Sequence, residues 1–342
     1  MDAYSNNYRN NAVTDPVAMI GNLSFLWLEI TQTCNLVCQH CYTDSSPRRP
    51  LDEGMSLADW VTVLEQARKV HCDSVQFIGG EPMLHPQLMT LVECASNLGF
   101  RYIEIYSNGT RIDKAMAARL KQFGVRVALS VYSAEPAVHD RITGKTGSHA
   151  RTMRAIRHLR EADVPVRASV VEFDPANLQN AGVTALLSEI GVTDVRSDHL
   201  RKVGRGGQHS GDIDDELCGG CWRGRLCITA SGNTYPCVFS RHVDLGDIHD
   251  GLPVILGSER LHSFRHSHRL RSEKLDRANE VGCGKGCQPE CLPGVPCRPG
   301  AGPCTPQCSP SHKPPPPEPC APSQCQPDRG SCIPDRCNPN LC

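Results

Sequence analysis

Strand-like apolar runs and amphipathic stretches alternate along residues 23–200. The apolar runs are "LSFLWLEIT", "SVQFIGG", "YIEIYSNG", "VRVALSVYS", "VPVRASVVE" and "VTDVRSDHL". Between them, segments 56–71, 86–98, 113–123, 149–162 and 178–190 carry the helical pattern. Six strands with intervening helices predict a parallel sheet with helical crossovers, an α/β fold. In such sheets chemistry gathers at the C-terminal strand ends, and polar punctuation follows each strand here.

At 342 residues the chain has room for one large domain with an appendage, or for two domains. Its formal net charge of -1 gives no reason to expect a nucleic-acid partner held by phosphate contacts. The polar start "MDAYSNNYRNNAVTDP" lacks the basic and apolar regions of a signal peptide. No later run approaches the ~18 apolar residues that span a bilayer. A soluble, cytoplasmic protein without a membrane partner is the expectation. Twenty cysteines then favour metal or cluster ligation over a secreted disulfide scaffold.

The cysteines are unevenly spread: five fall in residues 1–217 and fifteen in 218–342. From Cys283 onward the chain is a run of Cys and Pro with little to build a core. The expected division is a lead-in at 1–23, a core at 24–205, a Cys-rich domain at 206–297 and a Cys/Pro-rich tail at 298–342. The tail holds cysteines at 320, 325, 332, 337 and 342 in a loose pattern that suits partial ordering by metal. Cys72 and Cys94 lie on predicted helices and read as structural thiols.

"EITQTCNLVCQHCYTD" places Cys34, Cys38 and Cys41 directly after the first strand. A trio of thiolates suits zinc or an iron-sulfur cluster, and a structural zinc site normally takes four protein ligands. Three ligands leave one metal position open. The alternatives are three plain thiols, or a zinc site completed by His40. The second strand ends in "GGEP", where Gly79 and Gly80 allow close backbone approach and Glu81 offers a carboxylate.

The spacing Cys34-x3-Cys38-x2-Cys41, with His40 before the last cysteine, resembles the cluster loop of radical S-adenosylmethionine (SAM) enzymes. Gly79, Gly80, Glu81 and Pro82 resemble that family's motif for the SAM amino group. The resemblance covers about residues 24 to 200 and implies a partial (β/α)6 TIM-like barrel with a small Cys-rich C-terminal auxiliary-cluster domain. It implies a [4Fe-4S] cluster on the three cysteines, with SAM bound to the fourth iron through its amino nitrogen and carboxylate. Asn108 and Ser130 resemble the family's ribose and methionine contacts, and Arg141 is a candidate fork for the SAM carboxylate. The implied chemistry is one-electron cleavage of SAM to a 5'-deoxyadenosyl radical that removes a substrate hydrogen atom. An external donor such as flavodoxin or ferredoxin would supply the electron.

Cys221-x10-Gly232-x4-Cys237, followed by "LGDI", resembles the opening of the SPASM/twitch extension, which carries auxiliary [4Fe-4S] clusters. A small hairpin in "TASGNTYPC" would present Cys237 toward such a cluster. The distal cysteines depart from the family pattern: Cys283-x3-Cys287-x3-Cys291-x5-Cys297 stands in place of Cys-x2-Cys-x5-Cys-x3-Cys. The expected ligands are Cys221, Cys237 and two of Cys283, Cys287 and Cys291, with Cys218 and Cys227 as substitutes. The resemblance implies action on a ribosomally made peptide by cross-linking, epimerisation or oxidation. The alternatives are an epimerase, dehydrogenase or decarboxylase of an antibiotic sugar or aminocyclitol, and a non-catalytic iron-sulfur maturation factor, which would not need "GGEP". Few residues precede the barrel for a leader-recognition domain, which narrows the margin for the peptide.

Overall fold

The computed structural model describes residues 22–51, 54–173, 179–207 and 213–282. Strands β1 (Phe25–Glu29), β2 (Ser74–Ile78), β3 (Tyr102–Ser107), β4 (Arg126–Ser130), β5 (Val166–Glu172) and β6 (Val195–His199) lie side by side in chain order. Every adjacent pair among them is parallel. The crossovers are helical: α1 (Leu57–Lys69), α2 (Leu88–Asn97), α3 (Lys114–Gln122), α4 (Pro136–Thr143), α5 (Ser148–Glu161) and α6 (Gln179–Glu189). A capping box starts α1: Asp59 N–H donates to Ser56 Oγ at 3.3 Å, and Ser56 N–H donates to the Asp59 carboxylate at 2.8 Å.

Alternation along the strands decides what faces where. Leu26, Leu28, Val75, Phe77, Ile103, Ile105, Val127 and Leu129 pack with Trp60, Leu64, Leu91, Leu120, Ile156 and Leu159 of the helices in one core. Full burial of each such side chain stabilises by roughly 1.5–3 kcal/mol before packing losses. The opposite parity is polar: Gln76, Glu104, Tyr106, Ser130, Arg167 and Ser169 line a cavity. The six parallel strands with helical crossovers match the sequence expectation, and the fold is an α/β partial barrel with a mostly parallel sheet.

Two features lie beyond that expectation. The crossover from β4 to β5 contains α4 as well as α5; α4 has Pro136 in its first turn and ends at Gly144, whose φ is +68°. The sheet also continues past residue 205. Strand β7 (Arg225–Thr229) pairs in parallel with the free edge of β1, Trp27 opposite Cys227, and β8 (Thr234–Tyr235) turns back antiparallel on β7. The β7–β8 hairpin is the one expected around Gly232, which has φ +90° and leaves no space for a Cβ, 2.9 Å from Asp247 Oδ1. The auxiliary segment therefore begins as an extension of the barrel sheet.

Helices α7 (Leu252–Leu256) and α8 (Glu259–Gly282) follow. Leu252, Ile255, Leu256 and Leu261 join the main core, and Leu252 N–H donates to the Gln66 side chain of α1 at 2.7 Å. Residues up to His266 form one compact unit. The second unit, from Ser267, is described to Gly282; within it Arg269 pairs with Glu273 at 3.3 Å, one helical turn on. The expected tail at 298–342 lies outside the described residues. No described helix is long and apolar enough to cross a membrane.

Candidate functional site

The three-cysteine loop leaves β1 at its C-terminal end and is closed at its base by a bridge between Thr33 and Ser46, with Cys34 N–H donating to Ser46 O at 3.2 Å. Its middle docks on the last turn of α4, where Val37 N–H donates to Thr143 O and Gln39 N–H to Ile142 O. A helix end leaves such carbonyls without internal partners, and the loop satisfies them. Leu36 N–H and Ser45 N–H donate to the sulfurs of Cys34 and Cys41 at 3.4 and 3.3 Å. Burial, reinforced by the Glu81 charge, pushes the Cys34 thiol up to about 12 and raises Cys38 as well. Thiols in such surroundings become thiolates when a metal supplies the opposing charge.

Cys34, Cys38 and Cys41 all line one cavity of about 650 Å³, together with His40, Gly79, Gly80, Asn108 and Ser130. Asn108 Nδ2 lies 3.8 Å from Cys34 Sγ and donates to Asn35 Oδ1 at 2.9 Å. Ser130 Oγ is 3.4 Å from the Tyr106 hydroxyl. His40 packs edge-on to Tyr132 and Phe173, with ring centroids 4.6 and 5.0 Å away. Its buried Nδ1 has no hydrogen-bond partner among the described residues, and burial, aided by the Arg205 charge, lowers its pKa to about 4.

The "GGEP" segment is placed as expected but built differently. Gly79 has φ +144°, and a Cβ there would lie 2.3 Å from Thr31 O; a Cβ on Gly80 would lie 2.3 Å from Thr33 O. Gly80 N–H and Glu81 N–H donate to those two carbonyls at 2.7 and 2.9 Å. The glycines are required by the backbone entering the cysteine loop, beyond any approach of a ligand. Glu81 was expected to offer its carboxylate to an ammonium. Instead it is fully buried, lies outside the cavity lining, and accepts from Ser107 Oγ, Asn108 N–H and Met83 N–H at 2.7, 2.8 and 3.0 Å. Burial raises its pKa, and those three donors oppose the shift. Pro82 is buried and opens the 3-10 turn Pro82–Leu84 that Glu81 caps.

Arg141 is not brought to the site. The last turn of α4 buries Ile142 and Thr143 and leaves Arg141 exposed, away from the cavity lining. Other charged groups occupy the cavity floor, and sequence reading passed them over. Arg167 of β5 forks onto the Glu104 carboxylate of β3 at 2.9 and 2.7 Å. Tyr102 donates to Glu104 at 2.7 Å, and Gln76, its register partner on β2, donates to it too. Burial opposes the charge on Arg167, but the paired carboxylate outweighs it and holds the guanidinium protonated. Their signal in the sequence is a polar residue at a fixed parity inside each apolar run.

One auxiliary cysteine, Cys218, lines the same cavity. Cys221 and Cys237 are buried with their sulfurs 3.2 Å apart, in an apolar cluster with Leu217, Phe264 and Trp27. Cys218 lines the cavity, and its hydrogen bond with Cys221 lowers the Cys218 thiol and raises that of Cys221. These three described thiols are gathered together. Cys227 is separate: it is fully buried and titrates higher through burial and the neighbouring Glu29 charge. Cys283, Cys287 and Cys291 lie outside the described residues. The two regions are joined by Glu29, which is 3% exposed and takes the Tyr42 hydroxyl at 3.0 Å from the loop and the Arg241 guanidinium from the auxiliary segment.

These features fit the implied groups. Cys34, Cys38 and Cys41 line one cavity with an orphaned imidazole nitrogen and glycine backbone, while among the described residues no group of three or more His, Cys, Asp or Glu stands at metal-holding distance. Three more thiols, Cys218, Cys221 and Cys237, gather beside one another with Cys218 at the cavity, and a fourth ligand would come from another segment.

Residues 28–173 match the Radical SAM superfamily, and residues 196–288 match SPASM, an iron-sulfur cluster-binding domain. The chain belongs to the radical SAM superfamily and carries a C-terminal SPASM domain. The cofactors of this architecture are a [4Fe-4S] cluster that binds SAM and a SPASM auxiliary cluster. The chain is 31% identical over 182 residues to PqqA peptide cyclase of Gluconobacter oxydans, covering 53% of this chain and 50% of that one. It is 30% identical over 137 residues to an AdoMet-dependent heme synthase of Oleidesulfovibrio alaskensis, covering 40% and 35%. The chain thus spans half or less of the length of these curated relatives. Its fold is similar to that of Streptococcus suis SuiB bound to precursor peptide SuiA, with TM-score 0.61 and 14% identity over 72% of this chain and 67% of that one.

Proposed function

We propose that the protein is a radical SAM enzyme that abstracts a hydrogen atom from a ribosomally made peptide and so cross-links, epimerises or oxidises it. The observation that carries this reading is one cavity lined both by Cys34, Cys38 and Cys41 and by Cys218, Arg225 and Phe239 of the auxiliary segment. When bound, the cluster and SAM supply reductive carbon–sulfur cleavage and hence hydrogen-atom abstraction.

The chain's own residues do the rest. Cys34, Cys38 and Cys41 hold the first cluster. Gly79, Gly80, Asn108 and Ser130 present backbone and polar groups to SAM, and Tyr132 and His40 close the cavity wall against water. The Glu104–Arg167 pair keeps the floor rigid, because each charge is buried against its partner. Cys218, Cys221 and Cys237 hold the auxiliary cluster with a fourth ligand from the distal cysteines. The electron comes from an external flavodoxin- or ferredoxin-like donor.

The similarity to PqqA peptide cyclase and to peptide-bound SuiB supports a peptide substrate. The relative named an AdoMet-dependent heme synthase supports a second reading, a substrate that is not a peptide. Anaerobic reconstitution with SAM and a reductant, in the presence of precursor peptides encoded beside the gene, separates them. Formation of 5'-deoxyadenosine with a peptide mass change supports the first reading. Turnover without any peptide change, but with a small molecule, replaces it with the second.

A further inference from the structure

The cysteine loop is braced from a place the sequence does not advertise. After β6 the chain makes a 3-10 turn, Gly204–Gly206, pressed against the loop, with Arg205 also at the cavity lining. Gly204 has φ +59°, and a Cβ there would lie 2.4 Å from Cys41 O and 2.5 Å from Tyr42 O. Arg205 N–H donates to Cys41 O at 2.9 Å. The Arg205 side chain then reaches along the loop: Nε donates to Cys38 O at 2.8 Å, one terminal nitrogen to Ser45 O at 2.8 Å, and the other to Asp44 Oδ1 at 2.6 Å.

These bonds act on the backbone that carries two of the three thiols. Asp44 sits at φ +54°, a conformation that costs a non-glycine residue free energy and persists only where its surroundings fix it. Arg205 and Arg49 both hold its carboxylate. With the carbonyls of Cys38 and Ser45 turned toward the guanidinium and that of Cys41 toward the Arg205 backbone N–H, Ser45 N–H points at Cys41 Sγ. A planar guanidinium with several donors in fixed directions suits this task, and an ammonium does not.

We propose that Arg205 is the positioning residue of the cysteine loop: it fixes the backbone at Cys38 and Cys41 for cluster retention and sets a permanent positive charge beside the cluster. The inference rests on the reading that Cys34, Cys38 and Cys41 hold the SAM-binding cluster. One-electron reduction by an external donor adds one negative charge to the thiolate-bound cluster, and a fixed cation a few bonds away favours the reduced form. Arg205 acts through the loop.

The test uses full-length protein, reconstituted anaerobically with iron and sulfide and reduced with dithionite. The first cluster is recognised by the change in its electron paramagnetic resonance signal when SAM is added. Two quantities are read: the rate at which a chelator removes that signal, and its midpoint potential. Arg205→Gln should lose the signal roughly ten-fold faster than wild type and titrate at a more negative potential. Arg205→Lys keeps the charge but not the fork, so it should lose the signal faster while holding a potential near wild type. Gly204→Ala displaces the turn with the guanidinium intact and should also speed the loss.

Wild-type retention and potential in Arg205→Gln would overturn the proposal. Faster loss with an unchanged potential would overturn its electrostatic half. If Arg205→Gln fails to fold, Gly204→Ala and Arg205→Lys still decide, since wild-type retention in both overturns the positioning role. Failure of the underlying reading looks different: wild type itself would give no SAM-sensitive signal, or Cys38→Ala would keep it.

Discussion

The two cysteine regions differ in how they are encoded. Cys34, Cys38 and Cys41 sit within one short loop, yet that loop is held by segments far away in sequence: "GGEP" at its entry, α4 at its middle and the Gly204–Gly206 turn at Cys41 and Tyr42. Cys218, Cys221 and Cys237 are spread around a hairpin whose own fold is simple, but the hairpin is fixed by pairing to the edge of β1. A site local in sequence depends on non-local bracing, and a site dispersed in sequence depends on one strand edge. Glu29, at the end of β1, touches both.

Substitutions at the braces break the two regions separately. The largest effect is expected at Gly80. A Cβ pressed on Thr33 O must move the backbone just before Cys34, so Gly80→Ala should lose the SAM-sensitive cluster and keep the auxiliary one; iron analysis with the paramagnetic spectrum checks this. Next comes Arg241, whose side chain is 25% exposed and pairs with the buried Glu29. Arg241→Met leaves that carboxylate unpaired and should cost about 3–5 kcal/mol in denaturant unfolding, disturbing both clusters.

Acid should act on the first region through α4. His139 is buried beside Tyr132 and His149, with Asp140 and Glu135 nearby, and burial foremost, then His149, lowers its pKa to about 4. The unfolded chain binds a proton there between pH 6.5 and about 4 while the folded chain does not, so stability falls as pH drops through that window. The loss is up to about 3 kcal/mol. Urea midpoints of His139→Asn should show a shallower decline over the same range than wild type.

The smallest effect belongs to the second region. His249 bonds Asp247 at 2.6 Å and approaches Asp59 of the α1 cap at 3.7 Å, and the Asp247 bond, with both charges, raises its pKa. Its contribution is present in full below pH 6.5 and fades as pH rises through the raised value. The side chain is half exposed, so solvent screening limits it to less than about 1 kcal/mol. His249→Gln should therefore be slightly less stable than wild type at pH 5.5 and equal to it at pH 9.

Legibility followed the same divide. Whereas β6, with the sequence VRSDH, has no buried residue, strands β1 to β5 each carry a buried apolar set on one face, so their runs announce them. Helix α4 did not, because it buries His139 and Thr143 as well as Ile142 and shows no apolar stripe. The close spacing of the three cysteines puts them on one short loop at one cavity, and spacing alone left zinc and plain thiols open. Arg205 was not legible, since "VGRGG" reads as a surface turn and its partners lie some 160 residues earlier. The glycines of "GGEP" were found, but the neighbour that requires them, the backbone of Thr31 and Thr33, became visible only with the fold. Glu81 and Arg141 were misplaced for one reason: a motif names a residue without giving the direction of its side chain.

The central claim is that the loop at Cys34, Cys38 and Cys41 holds the cluster that cleaves SAM, apart from the auxiliary site. The most direct measurement compares wild type with the Cys34→Ala/Cys38→Ala/Cys41→Ala variant after anaerobic reconstitution, reading bound iron and 5'-deoxyadenosine formation together. The account predicts that the variant keeps roughly four irons on the auxiliary cysteines and forms no 5'-deoxyadenosine. Continued 5'-deoxyadenosine formation in that variant would contradict it.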